Sequence, residues 1–319
     1  MYKLRRLVII GILAFTLVSA CRGNAPQQAS SQATDTSAET VRVVDHALGK
    51  TKVPVNPQRV VAVAGLDTVL SLGVKPVGST QVDREDYYLE DRAKGTESVG
   101  DSDSPNFEAI VALKPDLILG TKLNNQKNYE LLSQIAPTVI ADLETSGDWK
   151  RMLSKYAEAL GKTDKAEQIM ADYQARIEEF QAQMGDRLKS TEVSIARIYQ
   201  DRILLYLEDS FPGTVVADTG LPRPDHQINT EQTFSIDISK ELLHKADGDV
   251  IFVWTSGSNE ELAKGDRSSL KQLKADPLWS KLNAVQQSKV YDVPSYWIGM
   301  GAISANLVLD DLFEYLVEN

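Results

Sequence analysis

The first apolar stretch of the chain, residues 7–18, is interrupted only by Gly11 and Thr16 and follows Lys3, Arg5 and Arg6. About a dozen residues is too short for a spanning helix, which needs roughly 20. A basic head, a short apolar run and the small residues Ser19 and Ala20 behind it predict an export signal over residues 1–20. Residues 22–40 carry no large apolar side chain. Such a composition cannot bury enough surface to order itself and predicts a flexible tether.

Past Pro57 the pattern changes to short apolar runs separated by helical spacing. Residues 60–64 are continuously apolar and end at Gly65, as a strand buried on both faces would. Residues 66–72 read as a helix stopped by Gly73, and 75–78 as a short strand. The helix-then-strand order repeats at 107–113 with 117–120, and at 129–135 with 137–140. A long helical stretch follows. Trp149, Met152, Leu153, Tyr156 and Leu160 share one face, and Gly161 interrupts the run. Asp164 with Glu167 offers a capping box for a second segment, in which Ala166, Ile169, Met170, Tyr173, Ile177, Phe180 and Met184 recur at helical spacing. Over roughly 25 residues this makes a rod of about 35 Å. With no partner helix in the sequence, it reads as a strut between two lobes. Strands are then expected at 193–199, 203–207, 250–254 and 290–293, with a last helix over 302–316.

The pattern therefore predicts an α/β protein of two lobes with mainly parallel central sheets joined by a single long rigid helix. The expected divisions are 1–20, 21–40, an N-terminal lobe 41–147, linking helices 148–189 and a C-terminal lobe 190–319. The 319 residues, 42% hydrophobic and 25% charged, are enough for two cores. Removing the three basic residues of the signal takes the net charge from −11 to −14. No basic stripe for nucleic acid is present, so any anionic ligand must be drawn in by a local cluster of Arg and Lys. Val18-Ser19-Ala20-Cys21 looks like the bacterial lipoprotein box, whose cysteine is acylated. Cys21 is the only cysteine, which rules out an intramolecular disulfide or a cysteine metal cluster.

Two segments echo one another across the long helix. Phe107-Glu108-Ala109-Ile110 leads to Asp116-Leu117-Ile118-Leu119, and Lys240-Glu241-Leu242-Leu243 leads at the same spacing to Asp249-Val250-Ile251-Phe252. A Glu at a helix start is favoured by the helix dipole alone, but the matched spacing points to a duplicated lobe architecture.

On these residues the sequence resembles the iron-siderophore and cobalamin substrate-binding proteins of ABC importers. The resemblance runs over residues 41–319. It is carried by Pro57-Gln58-Arg59-Val60-Val61-Ala62, by the stretch 72–78, by Val99-Gly100 before 105–118, and by Ile135-Ala136-Pro137-Thr138. It continues through Asp209-Ser210-Phe211-Pro212-Gly213, Gly220-Leu221-Pro222-Arg223-Pro224, Ile238-Ser239-Lys240-Glu241 and Tyr296-Trp297, with the siderophore branch the nearer match. It implies a class III periplasmic-binding-protein architecture, a ligand held between the lobes, and Glu108 and Glu241 meeting arginines of the permease of an ABC complex. A lipid-anchored monomer in the periplasm or on the outer face of the cell membrane is expected, without cofactor, its iron carried within the siderophore.

In open α/β sheets ligands lie beyond the carboxyl ends of strands. The side chains suited to a polar or anionic ferric complex at those positions are Arg84, Tyr88 and Lys122 in the first lobe. In the second they are Arg197, Tyr199, Trp254, Tyr296 and Trp297. Arg197 and Trp297 match the family's binding positions most closely. His46, His226 and His244 show no paired metal spacing, so direct metal ligation is not expected. No Gly-x-Ser-x-Gly elbow, His-Glu-x-x-His or phosphate loop is present. Cobalamin, haem and free ferric ion remain alternatives within the binding class.

Overall fold

The structure, a computed structural model, describes residues 41–80, 88–228, 233–255 and 260–318, all within one unit spanning Glu39–Asn319. Cys21, Arg84 and the predicted signal and tether lie outside the described residues.

The first lobe opens with an antiparallel hairpin, β1 (Val41–His46) and β2 (Gly49–Pro54). It continues through β3 (Val60–Ala62), α1 (Leu66–Ser71), β4 (Gly78–Ser79), α2 (Glu90–Ala93), β5 (Glu97–Ser98) and α3 (Phe107–Ala112). β6 (Leu117–Thr121), α4 (Lys122–Asn125), α5 (Tyr129–Ile135) and β7 (Thr138–Ala141) complete it. The sheet order is β5-β4-β3-β6-β7, parallel throughout. Two linking helices follow, α6 (Trp149–Leu160) and α7 (Thr163–Met184).

The second lobe comprises β8 (Val193–Ile198), β9 (Ile203–Tyr206), α8 (Phe211–Thr219), β10 (Ser235–Ile238), β11 (Val250–Trp254), α9 (Glu260–Lys274), α10 (Asn283–Gln286), β12 (Val290–Asp292) and α11 (Ala302–Leu316). Its order, β10-β9-β8-β11-β12, repeats the first sheet with β8 in the place of β3 and β11 in that of β6. β8, β11 and β12 run parallel, but β9 is antiparallel to both β8 and β10. The second sheet is therefore mixed. The cause is local: only four residues separate β8 from β9, enough for a hairpin but far short of a parallel crossover.

Strand alternation divides the apolar side chains between two faces. Val60 and Ala62 of β3 face one core, while Val61 and Val63 face another under the outer helices. Val250, Phe252 and Trp254 of β11 face the first of these, and Ile251 and Val253 the outer side of the second sheet. The shared core also includes Trp149, Met152, Leu153 and Tyr156 of α6 and Tyr173, Ile177 and Phe180 of α7. One continuous apolar interior thus runs from the first sheet through the linking helices to the second.

Two local expectations are corrected. The strand expected at 75–78 is only Gly78–Ser79. The capping box at Asp164 and Glu167 does not form: α6 ends on Gly161 in the left-handed region (φ 66°), the N-cap of α7 is Lys162 with no side-chain cap, and Asp164 is already in the first turn. A single turn between the helices leaves no room for a separate cap. The hairpin β1–β2 and the edge strand β10 are additional to the sequence reading.

Candidate functional site

The echoed segments are explained first by their aspartates. Asp116, just before β6, accepts the backbone N–H groups of Gln58 (2.7 Å) and Arg59 (2.9 Å) at the entry to β3. Asp249, just before β11, accepts that of Glu192 (2.9 Å) at the entry to β8. Each carboxylate fastens the start of a neighbouring central strand, which requires it at a fixed distance before its own strand. The glutamates are different. Glu108 in the first turn of α3 and Glu241 in the 3-10 segment Lys240–Ala246 are both exposed. A hydrogen bond with the Ser239 side chain holds the Glu241 carboxyl below its usual range.

Segments beyond the carboxyl ends of the first sheet's strands reach the second lobe. Past β3, Thr68 donates to the Met300 carbonyl (3.5 Å), and Asp67 accepts the backbone N–H groups of Ile303 and Ser304 (both 2.9 Å) at the start of α11. Past β7, Ser146 accepts from the Phe211 N–H (3.0 Å) and Gly147 donates to the Asp209 carbonyl (3.2 Å). The ligand edge expected from topology is thus an inter-lobe junction.

On the second lobe this edge carries a cationic and aromatic cluster. Arg197 at the end of β8 stacks its guanidinium 4.3 Å from the Tyr199 ring centroid, and Arg202 approaches the same ring at 4.6 Å. The β8–β9 turn makes the arrangement, with the Tyr199 N–H donating to the Arg202 carbonyl (3.0 Å). Arg197 also donates to the Tyr206 hydroxyl (3.4 Å), while Arg202 pairs with Asp237 (3.7 Å). Arg197 and Tyr199 do share a face, and both are half-buried. Asp266 of α9 lies beside them; burial raises its pKa, although the Gln200 backbone and the Arg197 charge pull it down.

On the first lobe Lys122 follows β6 directly and pairs with Asp142 (3.1 Å). Arg151 reaches Asp142 (3.7 Å) and Asp148 (3.0 Å). Burial alone would raise the Asp148 pKa, but the N–H groups of Glu144 and Thr145 together with Arg151 hold it below the ordinary carboxylate value. Among the described residues no three His, Cys, Asp or Glu side chains converge as a metal site.

The remaining candidates take a different place from the one expected. Trp297 is fully buried, stacked on Phe252 (4.5 Å) and donating Nε1–H to Asp311 (2.6 Å). Trp254 is buried against Tyr206 (5.0 Å). The other two tryptophans, Trp149 and Trp279, are buried as well. Tyr296 donates to the same Asp311 (2.8 Å). Tyr88 donates to Asp67 (2.8 Å) and meets the Tyr296 ring edge-on at 6.2 Å. Trp254 and Trp297 are core supports here rather than an open wall, and Tyr88 and Tyr296 fasten the junction. Burial raises the pKa values of Asp67 and Asp311 despite these donors.

Asp67 and Arg202 lie within strand-end segments where the sequence places a ligand, yet neither is among the side chains it picks out, and Arg151 and Asp311 carry no signal in it at all. Arg202 is within reach, since a four-residue turn after a strand brings it back beside Tyr199. The partners of Asp67 lie 236 and 237 residues away and leave no local signal.

Comparison with known proteins gives this geometry a context. Residues 60–297 match a family described as periplasmic binding protein. A "Probable siderophore-binding lipoprotein YfiY" of Bacillus subtilis (strain 168) is 35% identical, over 98% of each chain. An "Achromobactin-binding periplasmic protein" of Dickeya dadantii (strain 3937) is 30% identical, over 80% of this chain and 85% of its own. Among solved structures, Staphylococcus aureus SirA complexed with staphyloferrin B superposes with a TM-score of 0.77 at 30% identity, covering 86% of this chain and 98% of that one.

Proposed function

The chain belongs to the periplasmic binding protein family, and on that premise we propose that it is the extracytoplasmic receptor of an iron importer. In this reading it takes a ferric siderophore between its lobes and passes it to an ABC permease and its ATPase. The observation that carries the reading is that two like-ordered sheets are joined by contacts from segments past first-lobe strands, while Arg197, Tyr199 and Arg202 stand at the carboxyl end of β8 and Lys122 and Arg151 follow β6 and β7. Guanidinium groups match the oxygen-rich surface of such a complex, and the tyrosine supplies a flat face. Because the overall charge is negative, these cations are where an anionic complex would settle, in competition with Asp142, Asp148 and Asp237, which pair with Lys122, Arg151 and Arg202.

Glu108 and Glu241 are proposed as docking acids. They stand exposed before β6 and β11, which occupy the same place in the two sheets, so permease arginines would find them at matched positions. Exposed ion pairs are individually weak, and their service would be orientation. Acylation at Cys21, with residues 22–40 as tether and 148–189 as the link between lobes, completes the proposal.

Calorimetric titration with ferric citrate, a ferric hydroxamate, a ferric catecholate, cobalamin and haem tests the ligand class. At least one ferric siderophore should bind, and Arg197→Ala should weaken it about tenfold, or roughly 1.4 kcal/mol. Binding of cobalamin or haem alone would overturn the siderophore reading. Glu108→Arg combined with Glu241→Arg should stop cellular uptake at unchanged ligand affinity; uptake that persists removes the docking role.

A further inference from the structure

Helix α11 begins with backbone N–H groups that have no partner within the helix. Its N-cap is Gly301, which offers no side-chain oxygen, and the helix instead receives its cap from the other lobe: Asp67 accepts from Ile303 and Ser304. Asp67 is 3% exposed and takes a third hydrogen bond from the Tyr88 hydroxyl. A carboxylate at a helix start is favoured by the dipole, and hydrogen bonds to an ionised acceptor are about twice as strong as neutral ones. Rotating the lobes apart would break both of these hydrogen bonds and leave the carboxylate and the two N–H groups to seek water instead. Such a loss is abrupt with displacement, so the contact selects one relative orientation.

The far side of α11 is tied as firmly to the link between the lobes. Phe313 packs edge-on against Phe180 of α7 (5.3 Å), and Arg176 of α7 donates to the Asn306 side chain (2.7 Å) and pairs with Asp310. First lobe, α11 and α7 thus close a triangle, and at its first-lobe corner the Asp67 hydrogen bonds stand beside an apolar cluster of Ile303 with Leu66 and Leu70. Tyr88, beside it, touches Tyr296, whose hydroxyl Asp311 of α11 holds. The same tyrosine therefore contacts both the corner and the opposite lobe.

We infer that Asp67 is a positioning residue, a carboxylate brace that sets the angle between the two lobes by capping α11 across their junction, with Tyr88 as the arm through which an occupant of the junction reaches it. The brace deepens the binding-protein reading, because the angle it sets fixes both the opening offered to a ligand and the separation of Glu108 and Glu241.

The test is a pulsed electron-spin distance measurement on the full chain in detergent. Cys21→Ser removes the one native cysteine, and with it the lipid site, and spin labels are placed at Glu108→Cys and Glu241→Cys. The labelled parent should give one narrow distance distribution. Asp67→Asn, whose amide cannot accept all three donors, should at least double its width or add a second distance, and Tyr88→Phe should broaden it less. A distribution unchanged in both variants would overturn the brace and reduce Asp67 to a local cap. Should Asp67→Asn fail to fold, Tyr88→Phe decides alone, since it removes one donor and leaves the helix cap in place. The measurement needs no ligand, so failure of the siderophore reading and failure of the brace are distinguishable.

Discussion

Gly301 is where the inter-lobe contact is most exposed to a single methyl group. A Cβ built there would have Asp67 atoms as its three nearest neighbours, with the carboxylate well inside 3.0 Å and the Asp67 Cβ at 2.8 Å. The backbone at Gly301 is extended (φ −161°), so alanine meets no conformational penalty and the conflict is one of space alone. Because even the Asp67 Cβ is too close, rotating the carboxyl group away does not relieve the clash; the side chain and α11 must separate. The two hydrogen bonds from Ile303 and Ser304 are then lost, each worth about 1.5–3 kcal/mol when the acceptor is charged. Part returns as the carboxylate regains water, so Gly301→Ala should cost roughly 2–4 kcal/mol. At about 2–4 °C per kcal/mol for a chain of this size, the midpoint should fall by roughly 4–16 °C. Urea unfolding with calorimetry measures both. A double-mutant cycle supplies the stricter check: on an Asp67→Ala background the hydrogen bonds and the two closest contacts are already gone and only the Cβ contact at 2.8 Å remains, so Gly301→Ala should add much less than its cost in the parent. If its cost stays within about 0.5 kcal/mol of zero in the parent, or adds in full to Asp67→Ala, the reasoning is refuted.

The two strand-fastening aspartates should differ in weight. Asp116 holds two backbone N–H groups and Asp249 one, so Asp116→Ala should cost about 1–2 kcal/mol and Asp249→Ala about half of that; urea midpoints in the reverse order would contradict the assignment. His46 supplies a pH dependence. Burial, reinforced by the Lys155 charge, lowers its pKa below the ordinary 6.5. Its Nδ1 accepts the Leu48 N–H (3.2 Å), so the neutral ring donates through Nε2 to Thr51 (2.9 Å), and Thr51 donates to the Thr138 carbonyl of β7 (2.9 Å). The unfolded histidine takes up its proton at higher pH than the folded one. Its contribution is therefore present above about 6.5 and lost as the pH falls through the lower folded value. Protection of the residue 41–54 amides from hydrogen exchange, after correction for the intrinsic pH dependence, should fall from pH 7.5 to 5.5, and His46→Gln should remove that pH dependence.

The sequence made the architecture legible where the pattern is local and strong. The buried runs at Val60 and Val250, the seven-residue stripe of α7 and the last helix all follow from spacing, and α11 spans the predicted residues. β10 escaped because Ser-Ile-Asp-Ile is half polar, as an edge strand with one solvated face is. The hairpin escaped because Val41 and Val43 point outward, leaving Val44 and Val53 as its inward apolar anchors. The site was harder for a physical reason. An aromatic residue after a strand looks the same in sequence whether it faces a ligand or a buried acid. Trp297 is settled by Phe252 and Asp311, 45 residues before it and 14 after. Arg197 and Tyr199 were legible because strand alternation alone puts them together.

The burial of all four tryptophans has a practical consequence for optical work. With relative exposures of 4% or less, the indoles are shielded from dissolved quenchers, and the free protein should emit at the short wavelengths of an apolar environment. A coloured ferric complex at the junction would still dim that emission, because resonance energy transfer acts through space and requires no contact. The intensity would fall while the wavelength stayed fixed. A red shift would instead report that the core had opened. Titrations followed by intrinsic fluorescence would therefore count bound chromophores, and a colourless iron-free ligand would pass unseen.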